Sequence, residues 1–258
     1  MSRIKKKYNS DLLKGTGMVQ ETIQLLSLYK PEISKNQMVK KAIESNILVK
    51  ASNMRIKDIV EIIFYKRYVN ESPNTPVYLQ TLINNVSKLD VTVQLLLIHT
   101  ARSSKILNDF IFHVYWPEVN KGTKELDSFA AMKFIENLIK DGDLITNWSD
   151  STKRRVASHI ISTLVDFRFL NKDRTVMPIF LLDITANYLA HELHFKGLSD
   201  NAVVEAEEWK LFGYSRFETI KHLERLSFQG YFILQNSGEI IKINWTYKNM
   251  EEFTHAIR

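Results

Sequence analysis

Residues 215–245, SRFETIKHLERLSFQGYFILQNSGEIIKINW, contain the strongest fold signals in the chain. Ser215 is a helix-capping residue type, and Gly230 stands where helices commonly end, so a helix is predicted between them. Two apolar runs then flank Asn236-Ser237-Gly238, a pattern that is typical of a β-hairpin. A further helix is predicted just upstream, at residues 202–212.

Two helices followed by a hairpin are typical of a winged helix, and we predict such a unit over residues 202–246. Similar signals occur earlier in the chain with an offset of 64 residues, at which Ser151 aligns with Ser215. There a capped helix is followed by an extended, turn, extended pattern. We therefore predict a second winged-helix-like unit over residues 126–180.

The remainder of the chain is predicted to be helical. Its 258 residues include only 8 Gly and 5 Pro, and so few helix breakers favour long helices. The polar segment 120–124 is the predicted boundary between a basic helical domain, residues 1–119, and a domain at residues 124–258. The predicted fold class is mainly α, with a bundle-like helical N-terminal half and a C-terminal half that contains winged-helix-like helix–hairpin units.

The formal net charge is +6, and its distribution is uneven. Residues 1–67 contain 14 Lys or Arg against 6 Asp or Glu, a net charge of +8, so the rest of the chain carries −2. Such a basic region is typical of proteins that bind a polyanion, most often nucleic acid. The alternative interpretation is that the charge serves only solubility, and the charge alone favours neither interpretation.

Basic side chains on the predicted helices and turns define a candidate nucleic-acid surface. The apolar face of the helix after Ser215 is predicted to consist of Phe217, Ile220, Leu223 and Leu226. Its opposite face would then enter a major groove, although Glu218 there argues against a tight phosphate groove. The predicted nucleic-acid-binding residues are Lys5, Lys6, Lys7, Lys153, Arg154, Arg155, Ser158, Lys172, Arg174, Lys221, His222, Arg225 and Lys242. The alternatives are that these faces are only solvated or that the units bind protein.

No catalytic or metal site is predicted. The chain has no Cys, which excludes thiolate chemistry and disulfides. Gly15-Thr16-Gly17 lacks the third glycine and the preceding strand of a dinucleotide site, and no P-loop motif occurs. His191 and His194 are three residues apart without a visible third ligand, so we predict a surface or capping role for them. We therefore expect no enzyme activity, no cofactor and no metal.

The sequence also predicts the absence of a membrane span. No segment reaches the roughly 20 apolar residues that a span needs, and no apolar run follows the basic N-terminus as it would in a secretory signal. We expect a cytoplasmic location. The oligomeric state cannot be predicted from these features.

Three stretches together resemble one known family. They are residues 8–15, YNSDLLKG; residues 148–154, WSDSTKR; and a C-terminal set made of LFGYS at 211–215, GYFILQ at 230–235 and INWTYK at 243–248. In their order and spacing they resemble the BrxA family of bacterial BREX (bacteriophage exclusion) phage-defence systems. The resemblance extends over nearly the whole chain.

The resemblance implies a small helical component of a BREX system, in which the methyltransferase and ATPase activities belong to other proteins. Some members are labelled inner-membrane proteins, and this sequence departs from that label. Our leading hypothesis is a non-enzymatic accessory component that binds duplex DNA, largely through phosphate contacts, with other BREX proteins as partners. The alternatives are a protein–protein adaptor and RNA binding by a helical part that resembles the NusB fold.

Overall fold

The structure is a computed structural model that describes residues 8–49, 51–142 and 148–257. Over these residues the chain is mainly helical, with one two-stranded sheet near the C-terminus, which confirms the predicted fold class. The chain forms two compact units. Unit 1 extends to Val77 and resumes at Leu96–Ile179, whereas unit 2 comprises Tyr78–Leu95 and the chain from Phe180 onward.

The helices of the first two thirds of the chain agree with the predicted pattern. In order they are a 3₁₀ turn at Asp11–Lys14, α1 (Val19–Leu28), α2 (Lys35–Glu44), α3 (Asn53–Asp58) continued by a π-helix at Ile59–Val69, α4 (Thr75–Val86), α5 (Leu89–Ser103), α6 (Lys105–Phe110) continued by a π-helix at Ile111–Tyr115, α7 (Trp116–Asn120), α8 (Ser128–Lys140) and α9 (Asp150–Asp166). Residues 120–124 lie within unit 1, and the assignment of separate domains on either side of them stays a prediction.

Local capping interactions set several of these helix starts. Ser34 accepts a hydrogen bond from the backbone of Gln37, and the Gln37 side chain accepts one from the backbone of Ser34, which together form a capping box. Ser149 caps α9 by accepting from the backbone of Thr152. Each bond satisfies backbone donors that the helix itself cannot pair.

The core of unit 1 is largely aromatic. Phe64, Tyr68, Phe110 and Tyr115 are all exposed by 1% or less. The Tyr115 hydroxyl donates to the backbone oxygen of Phe169 at 3.1 Å, and their ring centroids are 4.8 Å apart. The core therefore reaches the segment that follows α9.

The Gly15-Thr16-Gly17 motif is a packing feature rather than a ligand loop. The buried Arg67 guanidinium donates to the carbonyl oxygens of Gly15 and Gly17 at 2.8 and 3.1 Å. The Gly17 amide donates to the Asp166 carboxylate at 2.7 Å, and a Cβ at Gly17 would lie 2.5 Å from the Asp166 Cβ. Only glycine permits this approach, which fixes the N-terminal segment against the end of α9.

Unit 2 consists mainly of the C-terminal third of the chain. Its elements there are α10 (Asp183–Phe195), α11 (Asp200–Glu205), a 3₁₀ helix at Glu207–Phe212, α12 (Arg216–Ser227), β1 (Phe232–Ser237), β2 (Ile240–Trp245) and α13 (Met250–Ala256). The prediction of one helix over residues 202–212 is wrong, because the chain leaves helical geometry at Ala206, where ψ is 140°. Beyond this break the buried Trp209 indole donates to the Val203 carbonyl at 2.7 Å, which requires the chain to fold back.

The predicted hairpin is confirmed. Strands β1 and β2 pair antiparallel, with Phe232 opposite Trp245 and Ser237 opposite Ile240, around the turn at Gly238. The outer edge of β2 is closed by side chains of α11, because Asn201 and Asp200 accept from the β2 backbone at 2.8 and 2.9 Å. These two side chains occupy the edge where a third strand would otherwise pair.

The prediction that His191 has a surface or capping role is wrong. Its side chain is fully buried, with its ring stacked on Phe253 at a centroid distance of 3.9 Å and at 4.9 Å from the Trp245 ring. Its Nδ1 contacts the Asn187 carbonyl at 2.8 Å. Because charging this site would require removing an ion from water, burial lowers the pKa of His191 to about 4.

Candidate nucleic-acid interface

One face of α9 brings together exposed basic and hydroxyl side chains. Ser151, Arg154, Arg155 and Ser158 follow the helical spacing i, i+3, i+4, i+7, and all four are exposed. Within the described part of the chain, neither arginine forms a hydrogen bond or an ion pair. The two guanidinium groups are therefore available to an external anion. Ser151, a residue that the sequence suggested only as a cap, joins this face.

The first turn of α9 is only partly neutralised. Lys153 forms an ion pair with Asp150 at 2.8 Å, and this contact lowers the pKa of the Asp150 carboxyl. Lys153 is thus engaged within the helix, whereas Arg154 and Arg155 add positive charge to a helix end that is already electropositive. This arrangement favours an anion near the beginning of α9.

The opposite face of α9 is held firmly in unit 1. Val156, Ile160 and Leu164 are fully buried, and α9 packs against α8. His159 Nδ1 lies 2.7 Å from the carbonyl oxygen of Leu12, and Asp166 holds Gly17 at the far end. Because α9 is held at its middle and at its C-terminal end, and along its buried side, the exposed face belongs to an anchored helix.

The turn after α9 contains the predicted wing residues. Asn171 Oδ1 accepts from the backbone of Asp173 and of Thr175, each at 2.9 Å, which closes a tight turn. Lys172 is exposed at this turn, and Arg174 adopts a left-handed φ of 70°. Residues 154 and 166 are ~18 Å apart along the helix axis at 1.5 Å per residue, so the turn lies well beyond the two arginines.

In the predicted winged-helix-like unit at residues 126–180, the backbone pairs only through isolated β-bridges and not through regular strands. Leu170 bridges Val176, and Thr175 bridges Glu125, which lies just before α8. Along the chain, the bridge residue Glu125 comes first, then α8 and α9, and then the turn with its own bridge. The segment at Thr175 and Val176 pairs with Glu125 on one side and with Leu170 on the other. Unit 2 has the same order of helices but a regular hairpin.

The basic residues of α12 are engaged inside unit 2. Arg225 forms a two-pronged contact with Asp183, the first residue of α10, and one of its bonds is 2.9 Å long. Lys221 pairs with Glu224 at 3.2 Å. His222 contacts the Tyr214 hydroxyl, and burial lowers its pKa, so the ring is neutral near pH 7.

The other predicted site residues are scattered. Lys242 is exposed on β2, away from the buried side chains of that strand. Lys5, Lys6 and Lys7 lie outside the described residues. The structure thus brings Arg154, Arg155 and Ser158 onto one exposed face. On α12, by contrast, the predicted residues Lys221 and Arg225 are already bound to carboxylates. Across residues 8–49, 51–142 and 148–257, no group of His, Asp and Glu side chains could hold a metal ion.

Phe217 does not belong to the apolar face on which it was predicted. Ile220, Leu223 and Leu226 are buried, but 69% of Phe217 is exposed. The physical reason is angular, because residue 217 lies more than 100° around the helix from the centre of the buried set at 100° per residue. The second-helix face that sequence reasoning assigned to nucleic acid therefore includes an exposed aromatic ring.

Comparison with known proteins agrees with this architecture. The model of the BrxA family matches residues 6–192. A crystal structure of an uncharacterized protein from Magnetospirillum magneticum is similar at a TM-score of 0.59 and 15% identity, over 73% of this chain and 95% of that one. At this identity the likeness concerns the fold alone. No curated protein matches the chain.

These findings define the class as a mainly helical protein whose described residues form one two-stranded hairpin, with basic side chains exposed on α9. The chain belongs to the BrxA family, whose model covers well over half of its length. It is accordingly an accessory component of BREX phage defence, and the family is not a known enzyme class. None of the described helices combines the length and apolar character that a membrane span requires.

Proposed function

We propose that this BREX component binds duplex DNA through the exposed face of α9, mainly by phosphate contacts. The observation that carries the proposal is the pair Arg154 and Arg155, which are free of ion pairs with described residues and share their face with Ser151 and Ser158. Guanidinium and hydroxyl groups are the side chains that most often contact phosphate oxygens.

The order of elements around α9 supports a winged-helix interpretation. In such units the second helix of the pair enters the major groove and the wing contacts the adjacent backbone. Here α9 takes the place of that helix, and the turn that holds Lys172 takes the place of the wing. The ~18 Å of helix between Arg154 and the end of α9 is compatible with contacts on both sides of one groove, whose width is about 12 Å.

Unit 2 is the weaker candidate for DNA. Its second helix, α12, has Arg225 bound to Asp183 and Lys221 bound to Glu224. Binding a phosphate there would require breaking contacts that already satisfy both cations. We therefore assign the main contact to α9 and expect Lys221, His222 and Arg225 to contribute little.

The test is fluorescence anisotropy of a labelled duplex with the full chain at several salt concentrations. Wild type should bind with a steep salt dependence, about −0.9 in log–log slope per phosphate neutralised. Arg154→Glu/Arg155→Glu should weaken binding to all duplex sequences by at least about tenfold and reduce the slope by about two. Arg154→Lys/Arg155→Lys should retain most of the affinity.

A charge-matched control is Lys210→Glu/Lys248→Glu, two exposed lysines of unit 2. If this control weakens binding as much as the α9 variant, the effect comes from net charge and the proposed surface is wrong. An absence of duplex binding at low salt would refute the proposal as a whole. Stronger competition by single-stranded or structured RNA than by duplex would favour the RNA alternative instead.

A further inference from the structure

Unit 2 presents a stripe of four side chains along α12 and its C-cap residue, in which Lys221 and Glu224 pair with each other in the middle and a phenylalanine ring is exposed at each end. Phe217, Lys221, Glu224 and Phe228 recur at i, i+4, i+7 and i+11 and so lie on one helical face. Phe217 is 69% exposed and Phe228 is 90% exposed. Two phenylalanines so exposed at the ends of one stripe would retain apolar surface in water, which is unfavourable unless a partner covers it.

The other faces of α12 already have partners in unit 2. Ile220, Leu223 and Leu226 form the buried face. On another side, Arg225 and Gln229 both donate to Asp183. The stripe contacts β1 only through Glu224 among the contacts described, and its two ends, Phe217 and Phe228, stay exposed.

The stripe is complementary to itself. When two copies of α12 are placed antiparallel about a two-fold axis that passes between residues 222 and 223, Phe217 of one copy faces Phe228 of the other. In the same arrangement Lys221 faces Glu224, so opposite charges meet at the centre and aromatic rings meet at both ends. A two-fold interface requires this kind of match, because one surface must complement its own copy.

The stripe lies next to strand β1. Asn236 of β1 donates to Glu224 at 3.0 Å, which places the stripe on the side of α12 that is next to β1. Strand β1, FILQNS, contains neither a charged residue nor proline, the usual devices that keep an edge from pairing with another chain. Strand β1 therefore lacks the charged and proline residues that would disfavour a second copy beside the stripe.

From these features we propose that the chain forms a homodimer through the α12 stripe of unit 2, with the two helices antiparallel. The stripe belongs to unit 2 and the α9 face to unit 1, and the proposal does not depend on DNA binding. Phe217 and Phe228 supply the apolar contact, and Lys221 with Glu224 sets the antiparallel register.

The test measures the mass of the full chain by sedimentation over a range of concentrations, where one copy is 30.1 kDa. Wild type should approach twice that mass, and Phe217→Ser/Phe228→Ser should remain monomeric with an unchanged circular dichroism spectrum. Phe129→Ser is the matched control, since Phe129 is 75% exposed but lies on α8 in unit 1, and it should still dimerise.

A charge exchange then tests the register. Lys221→Glu alone places Glu against Glu, and Glu224→Lys alone places Lys against Lys, so each variant by itself should dimerise at least about tenfold more weakly. Mixing the two variants should restore association, because each charge again meets its opposite. A merely structural role of these residues would not produce this rescue.

Three results would overturn the proposal. Wild type that stays monomeric at high concentration would do so, as would a Phe217→Ser/Phe228→Ser variant that still dimerises. The third is a mixture of the two charge variants that fails to associate. A monomeric wild type whose DNA binding is lost in the serine variant would instead identify the stripe as a stacking surface for nucleic acid.

Discussion

Helix α9 is followed by a bridged turn and helix α12 by a hairpin, and the two helices expose different chemistry. On α9, Arg154 and Arg155 are exposed and have no ion-pair partner among described residues. On α12, Arg225 is bound to Asp183 and an exposed Phe lies at each end of the free face. The comparison teaches that the order of elements does not fix the ligand, because the partners of each basic side chain decide whether its charge is available.

The two units also differ in how they would respond to acid, and this is the largest effect that we expect. The folded-state pKa of His191 is about 4, whereas an unfolded histidine titrates near 6.5. The unfolded state therefore binds the proton first, and the contribution to stability that is present above about pH 6.5 is lost as the pH falls toward 4. The loss near pH 4 amounts to about 3 kcal/mol for unit 2.

The measurement is denaturant unfolding at pH 7 and at pH 4.5, with amide hydrogen exchange as the readout of the stability of each unit. Unit 2 should lose protection before unit 1. His191→Phe, which keeps a ring against Phe253, should remove most of the acid sensitivity of unit 2. Equal loss in the variant and in wild type would show that His191 is not the responsible group.

A second prediction concerns the contact that fixes α9. Gly17→Ala would place a Cβ 2.5 Å from the Asp166 Cβ, so the backbone must shift. We expect destabilisation of unit 1 by about 1–3 kcal/mol, the usual cost of overpacking, together with weaker DNA binding if α9 moves. Thermal unfolding measures the first effect, and anisotropy measures the second.

Gly142→Asn provides the control for this substitution. Gly142 has a φ of +72° with nothing within 4 Å of an added Cβ, and asparagine tolerates that conformation. It should change stability by only a few tenths of a kcal/mol. If both variants behave alike, the Gly17 contact does not support α9.

Local signals predicted a large part of the fold. The helix start at Ser215 and the turn at Gly238 depend on residues close in sequence, and both were confirmed. The pairing of Arg225 with Asp183 joins residues 42 positions apart, and the burial of His191 depends on rings contributed by β2 and α13. Composition and periodicity contain no information about such long-range partners, so sequence reasoning assigned Arg225 to a ligand and His191 to the surface.

The last prediction concerns the feature that separates α12 from α9, and it is the smallest. Asp183→Asn removes the carboxylate that binds Arg225, and it should make α12 more like α9 by leaving that cation available. Because a surface ion pair contributes about 0.2–1 kcal/mol, DNA affinity should rise by about two- to fivefold at low salt. Glu251→Gln removes one negative charge from the exposed side of α13 and serves as the control. A rise that is no larger for Asp183→Asn than for this control would mean that α12 does not face DNA even when its arginine is free. The two helices would then differ in orientation and not only in charge pairing.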